Sequence, residues 1–431
     1  MNRTTGLILL TGAAIGAGAA NLAQAATPAP TGVNTDEIRA LVADMLSDAE
    51  TRSSLLQSGS SAGHDGHFFL ASPDGAFRLN IKGQMQFRYT ANFREDGNRT
   101  RDDFNSGFTN QRMRLVFDGH VYNDFFFKFQ SQFAGNGGAD ILLDSFFGYE
   151  FDNGMKIQAG QFKLPFSREE LTSSTKLLAA DRSFTDGLFG GGRSQGVMLS
   201  YSQDQWRASV AFSDGFGALN TGFTNDRPAN PTGESDFAFT GRFEYLGAGA
   251  WDQFKDFTSP RGSEGVAWMI GAAGHFQSGA DSLVVGVPDG GTNFSWTVDA
   301  SVEGDGWAGF AAFYGRHSDQ KFTGPGTGSS DQYAFVAQGS YYLTDNVEPF
   351  VRWDEIIPDS GTSFNTLTAG ANYYIHGHAA KFTLDFQWFM DAPSATTFDQ
   401  GVLGGNPGIG LIGSGIDKNE FVVRAQFQLL F

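Results

Sequence analysis

Apolar and polar residues alternate over most of the chain from Phe77 onward. In the first such segment one set of alternate positions is apolar, and the other is polar or basic. The apolar set is Phe77, Leu79, Ile81, Met85, Phe87 and Tyr89, and the polar set is Arg78, Asn80, Lys82, Gln84, Gln86 and Arg88. Because successive side chains of a β-strand point to opposite faces, the pattern predicts a strand between an apolar and an aqueous environment. Strands of soluble sandwiches average about half this length, whereas membrane-barrel strands run to ~9–11 residues or more.

The same alternation recurs to the end of the chain and predicts an all-β fold, a transmembrane antiparallel β-barrel of about sixteen strands. The strands are expected to start near residues 77, 110, 125, 139, 155, 194, 206, 235, 264, 292, 307, 330, 347, 363, 379 and 419. Short turns, such as residues 122–124 and 152–154, alternate with longer connections rich in Gly, Asp and Ser. Short periplasmic turns and long external loops are typical of bacterial barrels. The connection from Gly247 to Gly265 departs from this rule, because it is long although it falls on the short-turn side.

The last predicted strand ends on an aromatic residue, Phe431. A terminal aromatic at the close of an alternating strand resembles the signal by which outer-membrane barrels are delivered to the barrel assembly machinery. The pattern therefore indicates the bacterial outer membrane, with its lipid and that machinery as partners.

The N-terminal region has a different character. Arg3, the apolar stretch from Leu7 to Ala20 and the sequence Ala23-Gln24-Ala25 are typical of a secretory signal peptide, expected to span residues 1–25. Asn34 and Glu37 form a capping-box pattern, and apolar residues at helical spacing follow as far as Gln57. We assign residues 26–66 to a periplasmic amphipathic helix and a Gly/Ser linker, and residues 67–431 to the barrel. The helix could bundle with copies from neighbouring subunits, pack under the barrel or enter it.

Composition narrows the partners. The 431 residues carry a formal net charge of −18, so nucleic acid, whose phosphates need basic patches, is excluded as an expected partner. Phe occurs 43 times and Gly 57 times, a bias that favours strands and turns. Cys is absent, so the chain has no disulfide and no thiolate chemistry.

The interior of such a barrel is too wide for side chains to fill, and transport of small inorganic ions and hydrophilic solutes is the expected function. Inward positions of the first three strands are basic. These candidate wall residues are Arg78, Lys82, Arg88, Arg112, Arg114 and Lys128. They could guide anions, or they could pair with inward acids elsewhere, such as Asp144, Glu150, Asp299, Glu303, Asp354 and Asp385.

A long loop follows Pro165, which must end a strand because proline cannot donate to the ladder. The loop runs from Arg168 to Arg193 and contains apolar as well as charged residues, which indicates that it folds into the lumen. It is the predicted constriction, with Arg168, Lys176, Arg182 and Arg193 as its candidate cations.

The sequence gives little indication of a metal site, a cofactor or an enzyme active site. The pairs His64/His67 and His376/His378 lie in a predicted linker and turn, so we predict no metal site and no cofactor. An enzyme needs a nucleophile, a base and an orienting group at one place, and no such set stands on one predicted face.

Several motifs resemble the phosphate-selective porin O/P family of outer-membrane barrels. They are Gly160-Gln161-Phe162-Lys163-Leu164-Pro165-Phe166-Ser167, Glu170-Leu171-Thr172-Ser173-Ser174, Asp181-Arg182-Ser183, Arg193 with Gly196, and Thr240-Gly241-Arg242-Phe243-Glu244-Tyr245. The resemblance covers the chain from about Phe68 and implies a trimer of sixteen-stranded barrels whose third external loop narrows each pore. It places Arg182 and Arg193 at the constriction of an anion path. The strong acidity and the leading helix depart from the phosphate-specific members.

We therefore expect an outer-membrane porin for small hydrophilic solutes and ions that favours anions such as phosphate. The alternative is a structural or adhesive barrel with a plugged lumen.

Overall fold

A computed structural model of the chain describes residues 40, 42–44, 61–94, 104–134, 141–220, 235–263, 265–279, 291–319, 329–391, 410–411 and 419–431. The chain divides into two units, Met1–Gly59 and Ser60–Phe431. In the first unit residues 40 and 42–44 are helical, within the predicted amphipathic helix. The rest of that helix and the predicted signal peptide lie outside the described residues.

The second unit contains eighteen described strands, numbered here in chain order. Their bounds are β1 Ser61–His64, β2 Phe68–Ala71, β3 Arg78–Phe93, β4 Phe104–Val121, β5 Phe125–Gln132, β6 Ile141–Glu150, β7 Met155–Lys163, β8 Arg193–Ser202, β9 Trp206–Ser213, β10 Ser235–Ala248, β11 Ala267–Gly279, β12 Thr292–Gly304, β13 Trp307–Ser318, β14 Ser330–Tyr341, β15 Val347–Ile357, β16 Phe364–His376, β17 Ala380–Phe389 and β18 Glu420–Leu430.

Strands β3 to β18 form a closed antiparallel barrel of sixteen strands, each paired with its neighbours in sequence. Pairing of β18 with β3, from Phe421 opposite Phe93 to Leu430 opposite Gln84, closes the ring. The predicted fold is confirmed, and most strands start within a few residues of the expected position. Strand β4 is the main difference, because it begins at Phe104 rather than near residue 110.

The two faces of the wall have opposite chemistry. On β17 the outward residues Phe382, Leu384 and Phe386 are between 39% and 48% exposed. The intervening Lys381, Thr383 and Asp385 are at most 2% exposed. Apolar side chains are thus presented to the surroundings and charged ones to the interior, as a lipid environment requires. None of the helices in the described part of the chain is long and apolar enough to cross a membrane.

The N-terminal edge of the barrel carries a short hairpin. Strand β1 pairs with β2, and β2 pairs with the first four residues of β3. Residues 61–64 therefore form a strand rather than the linker that their small, polar composition predicts. Just beyond the hairpin, Gly83 and Phe431 exchange two backbone hydrogen bonds of 2.7 and 3.1 Å. A Cβ at Gly83 would lie 2.1 Å from Cζ of Phe431, so the terminal ring occupies the space that a larger residue there would need.

Two connections lie inside the barrel. The first, here called the inward loop, is residues 164–192 between β7 and β8. It contains two short helices, α1 (Arg168–Leu171) and α2 (Phe184–Phe189). The second, here called the turn segment, is residues 249–263 between β10 and β11, with a 3₁₀ turn at Gln253–Lys255. The interior apolar cluster contains residues of both segments and of the barrel wall.

Candidate functional site: the interior of the barrel

Local signals shape the inward loop. Past Pro165 the chain leaves β7, and the amide of Leu164 donates to the carbonyl of Gly192 over 3.0 Å, which closes the base of the loop. Ser167 caps α1, its Oγ accepting from the amide of Glu170 over 3.2 Å. Ser183 caps α2 in the same way, with Asp186 as donor over 2.9 Å. Side-chain caps satisfy amides that a helix start leaves unpaired, so these serines specify where both helices begin.

One face of the inward loop is apolar and buried. Leu177, Leu178, Phe184 and Phe189 are each at most 4% exposed. They pack in one cluster with inward residues of β13 to β18, among them Tyr314, Val336, Phe364, Phe389 and Val422. The rings of Phe184 and Phe364 lie 5.0 Å apart. This contact fixes the apolar face of the loop to the wall of β13 to β18.

Polar wall residues hold the loop backbone along the same side. The donors and acceptors are Lys381 Nζ to Leu177 O (2.7 Å), Asn372 Nδ2 to Leu178 O (3.0 Å), Arg88 to Ala180 O (2.9 Å) and Arg352 to Asp181 O (2.9 Å). These four donors come from four different strands, and buried carbonyls without partners are costly. The loop is therefore a docked element of the barrel.

Asp181 of the inward loop is the acidic residue that pairs with several arginines of the wall. Its carboxylate pairs with Arg88 and, over 2.6 Å, with Arg112, and Arg424 stands 3.8 Å away. Arg424 also pairs with Asp385 over 2.7 Å. Burial alone would raise the pKa of Asp181, but the surrounding guanidinium charges hold it far below its ordinary value. The ionised form of the carboxylate is thereby favoured.

A second, acidic network lies within the loop. Glu169 accepts from the amide (2.7 Å) and hydroxyl (2.5 Å) of Ser183, and Ser167 donates to Asp186 over 2.5 Å. Burial is the main cause that raises the pKa of Glu169, and it raises that of Asp186 further because Glu169 and Glu170 add repulsion. The neutral form of Asp186 is thereby favoured.

The other face of the loop meets a cluster of cations, here called the basic cluster. Its members are Arg112, Arg114, Lys128, Lys163, Arg182 and Arg193. They share the carboxylates of Asp144, Glu170 and Asp181, and Arg182 also stands 3.5 Å from the carboxyl group of Asp186, whose neutral form is favoured. Asp144 pairs with Lys128 and Arg193, each over 2.7 Å, and Glu170 stands 3.2 Å from Arg182. Burial raises the pKa of Glu170, but Arg182, Lys163 and Arg193 lower it below its ordinary value. Six cations against three ionised carboxylates leave this part of the lumen positive.

The turn segment lies on the turn side of the inward loop and contacts it. Phe254 and Phe257 are buried, and the ring of Phe257 lies 4.8 Å from that of Phe310 on β13. Arg168 at the start of α1 donates to the carbonyls of Phe254 (3.0 Å) and Asp256 (3.3 Å). The long connection on the short-turn side therefore has a structural reason, since it enters the barrel and supports the inward loop.

Residues 80–397, about three quarters of the chain, match the profile of the phosphate-selective porin O and P family. The chain belongs to this porin family. It is an outer-membrane porin, and its barrel is a channel for small solutes. No curated protein shows significant sequence similarity to it.

Solved structures share the fold of this porin at low identity. The anion-selective porin from Comamonas acidovorans is 13% identical, with a TM-score of 0.55 over 82% of this chain and 99% of that chain. Salmonella typhi OmpF, in complex with daunomycin, is 12% identical, with a TM-score of 0.54 over 83% and 98%. The outer membrane channel DcaP of Acinetobacter baumannii is 14% identical, with a TM-score of 0.51 over 83% and 99%.

The predicted constriction cations of the porin occupy different places. Arg182 and Arg193 belong to the basic cluster, as described above. Lys176 lies nearer the turn side of the barrel, with its Nζ 3.5 Å from Oδ2 of Asp256 in the turn segment. Arg168 is 6% exposed, and Ser301 and two turn-segment carbonyls accept from its guanidinium. Arg182 also donates to the carbonyls of Glu169, Glu170 and Thr172, so it shapes the loop as well as charging it.

The predicted wall cations of the porin all have partners. Lys82 pairs with Asp118 over 2.6 Å, and Arg78 pairs with Asp65 of the hairpin over 2.5 Å. Arg88 and Arg112 meet at Asp181, and Lys128 meets Asp144. Arg114 donates to Ser174 and Gln132. Most wall cations therefore pair with acids, as the second interpretation of the sequence expects, and a role in guiding anions stays a prediction.

Several interior residues of the porin were not among the predicted sites. They are Lys163, Asp181, Arg242, Arg352, Lys381 and Arg424. Arg352 stands between Val351 and Trp353, and Arg424 between Val423 and Ala425, so strand alternation alone marks both as inward. As for metal ions, the described residues hold no group of three or more His, Asp or Glu side chains suited to one.

Proposed function

We propose that this porin favours small anions, with phosphate as the reference solute, and that selection occurs where the path passes the basic cluster. The observation that carries the proposal is the excess of cations over carboxylates beside the inward loop. Lys128, Arg182 and Arg193 are partly exposed there, so a passing ion meets them directly. The family name and the anion-selective porin among the structural neighbours agree with this direction.

Passage requires binding that is both favourable and weak. Each cation of the basic cluster except Arg114 is partly neutralised by a carboxylate or shared with a backbone carbonyl, as Lys163 is with Glu170 O at 2.5 Å, and Arg114 donates to the neutral side chains of Gln132 and Ser174. Partial neutralisation spreads the positive potential over several side chains. An anion is then attracted along the wall without a single site that would hold it.

We further propose the cellular setting. Residues 1–25 are removed as a signal peptide, the helix within residues 26–66 lies in the periplasm, and the barrel is inserted by the assembly machinery as a homotrimer in outer-membrane lipid. Support comes from the leader pattern, from the terminal Phe431 and from the family.

Planar-bilayer recording tests the proposal. The purified porin is expected to give stepwise conductance with an anion-selective reversal potential in a KCl gradient and partial block by added phosphate. Cation selectivity, or indifference to phosphate, would make it a general porin. Absence of conductance would favour the structural barrel with a plugged lumen.

A further inference from the structure

The tip of the inward loop reaches far toward the turn side of the barrel. Ser174 Oγ accepts from Gln84 over 3.1 Å, and Gln84 stands opposite Leu430 near the end of the last strand. The next charged residue of the loop, Lys176, is 34% exposed in its side chain and lies beside the turn segment. The solute path therefore has a second charged level, below the basic cluster, where the loop and the turn segment meet.

Asp256, in the turn segment, points one carboxylate oxygen toward this second charged level. Its Oδ1 accepts from the amide (3.1 Å) and hydroxyl (3.3 Å) of Thr258 and so stabilises the local turn. Its Oδ2 lies 3.5 Å from Nζ of Lys176 and 3.6 Å from Nε2 of His378. The side chain of Asp256 is 18% exposed. These separations exceed those of a short charge-assisted hydrogen bond, so Lys176 stays available to water or to a passing ion.

We propose that Asp256 is a specificity-determining residue of the pore, whose carboxylate offsets Lys176 and limits how strongly anions are held at the turn-side level. The proposal deepens the proposed function and rests on it, since it assumes that anions are the favoured solutes. An anion that has passed the basic cluster would otherwise meet an uncompensated ammonium group at the exit. The carboxylate of Asp256 lowers the affinity for anions at this level, so that the anions can leave the pore.

The alternative role for Asp256 is structural only, as a brace between the turn segment and the inward loop. Asp256→Asn separates the two roles because the amide keeps an Oδ1 acceptor for Thr258, while an uncharged NH2 group replaces the Oδ2 that faces Lys176. Lys176→Gln removes the opposite charge. The matched control is Asp252→Asn in the same segment, where Asp252 pairs with Lys255 over 2.6 Å and the two side chains are 80% and 59% exposed.

The experiment measures the anion-to-cation permeability ratio from reversal potentials in a KCl gradient for the full-length porin and the three variants. A unit charge about 7 Å from an ion in a water-like medium changes its energy by roughly RT, with opposite signs for an anion and a cation, so the anion-to-cation ratio should change roughly sevenfold. It should rise in D256N, fall in K176Q and stay at the wild-type value in D252N.

Equal ratios in D256N and D252N would overturn the proposal, as would an unchanged ratio in K176Q if D256N fails to assemble. A wild-type porin that selects cations would refute the proposed function instead. In that case a shift of D256N toward anions would still place Asp256 in the ion path.

Discussion

The docking of the inward loop depends on a buried carboxylate, and Asp181→Asn is the sharpest perturbation of it. Asparagine keeps the size of the side chain but leaves Arg88, Arg112 and Arg424 without the charge that they share. Removing one partner of a buried ion pair costs about 3–5 kcal/mol, because the remaining charge is stranded in a poorly solvated site. Each 1.4 kcal/mol is a tenfold change in an equilibrium, so the undocked population of the loop should rise by roughly two to three orders of magnitude.

Single-channel recording and limited proteolysis report the docked state independently. We expect D181N to show frequent conductance transitions, and we expect trypsin to cut the loop at Lys176 or Arg182 in the intact barrel. The wild-type porin should show neither effect. Asp252→Asn again serves as control, because an exposed pair contributes only about 0–1 kcal/mol. If D181N were as quiet and as trypsin-resistant as the wild type, the apolar contacts of Leu177, Leu178, Phe184 and Phe189 alone would suffice to hold the loop, and the magnitude above would be refuted.

Three other changes test separate parts of the interior. The raised pKa values of Glu169 and Asp186 mean that their neutral forms stabilise the docked loop at low pH, and this contribution is lost as pH rises through the raised values, so conductance noise should increase as the pH is raised; noise that decreases with rising pH would contradict the assignment. Lys128→Gln should lower the anion-to-cation permeability ratio roughly sevenfold, whereas Lys156→Gln, whose residue pairs with Glu150 and is 43% exposed in its side chain, should not; equal ratios would remove Lys128 from the path. Gly160→Ala should lower the thermal midpoint of the barrel, because φ is +128° there and a Cβ would lie 2.2 Å from the carbonyl oxygen of Ser145, while Gly107→Ala, with nothing within 4 Å, should leave it unchanged in a heat-modifiability assay.

Alternation between apolar and polar residues was enough to predict the barrel, because a strand between lipid and water must obey it at every position. The alternation did not predict the strand segments in which one face carries few large residues. The upper half of β4 contains Asn105, Ser106 and Gly107, which resemble a loop in composition although they pair with β3. The hairpin strand β1 was missed for the same reason, since Ser61, Ala62 and Gly63 have no apolar partner set in sequence.

The contacts that determine the interior could not be predicted in this way. Asp181 and Arg88 are 93 residues apart, and Asp385 and Arg424 are 39 apart. Sequence alone marked each of these residues as charged, and strand parity marks the wall residues as inward. Neither shows which cation an acid in a long loop will meet, because that depends on the path of the loop across the lumen. The turn segment is similar, since its length signalled an exception but not that it lies under the loop.

The two inward segments together explain how an acidic protein could have the positive pore that we propose. The apolar face of the inward loop covers the wall from β13 to β18, and the acids on that side, such as Asp354 and Asp385, are buried against Arg352 and Arg424. These acids therefore contribute little field to the open lumen, because each is neutralised at close range. In the basic cluster, by contrast, Lys128, Arg182 and Arg193 are partly exposed, and the cations outnumber their acids. The net charge of −18 is a property of the whole chain, whereas selectivity depends on the charges left exposed by the loop.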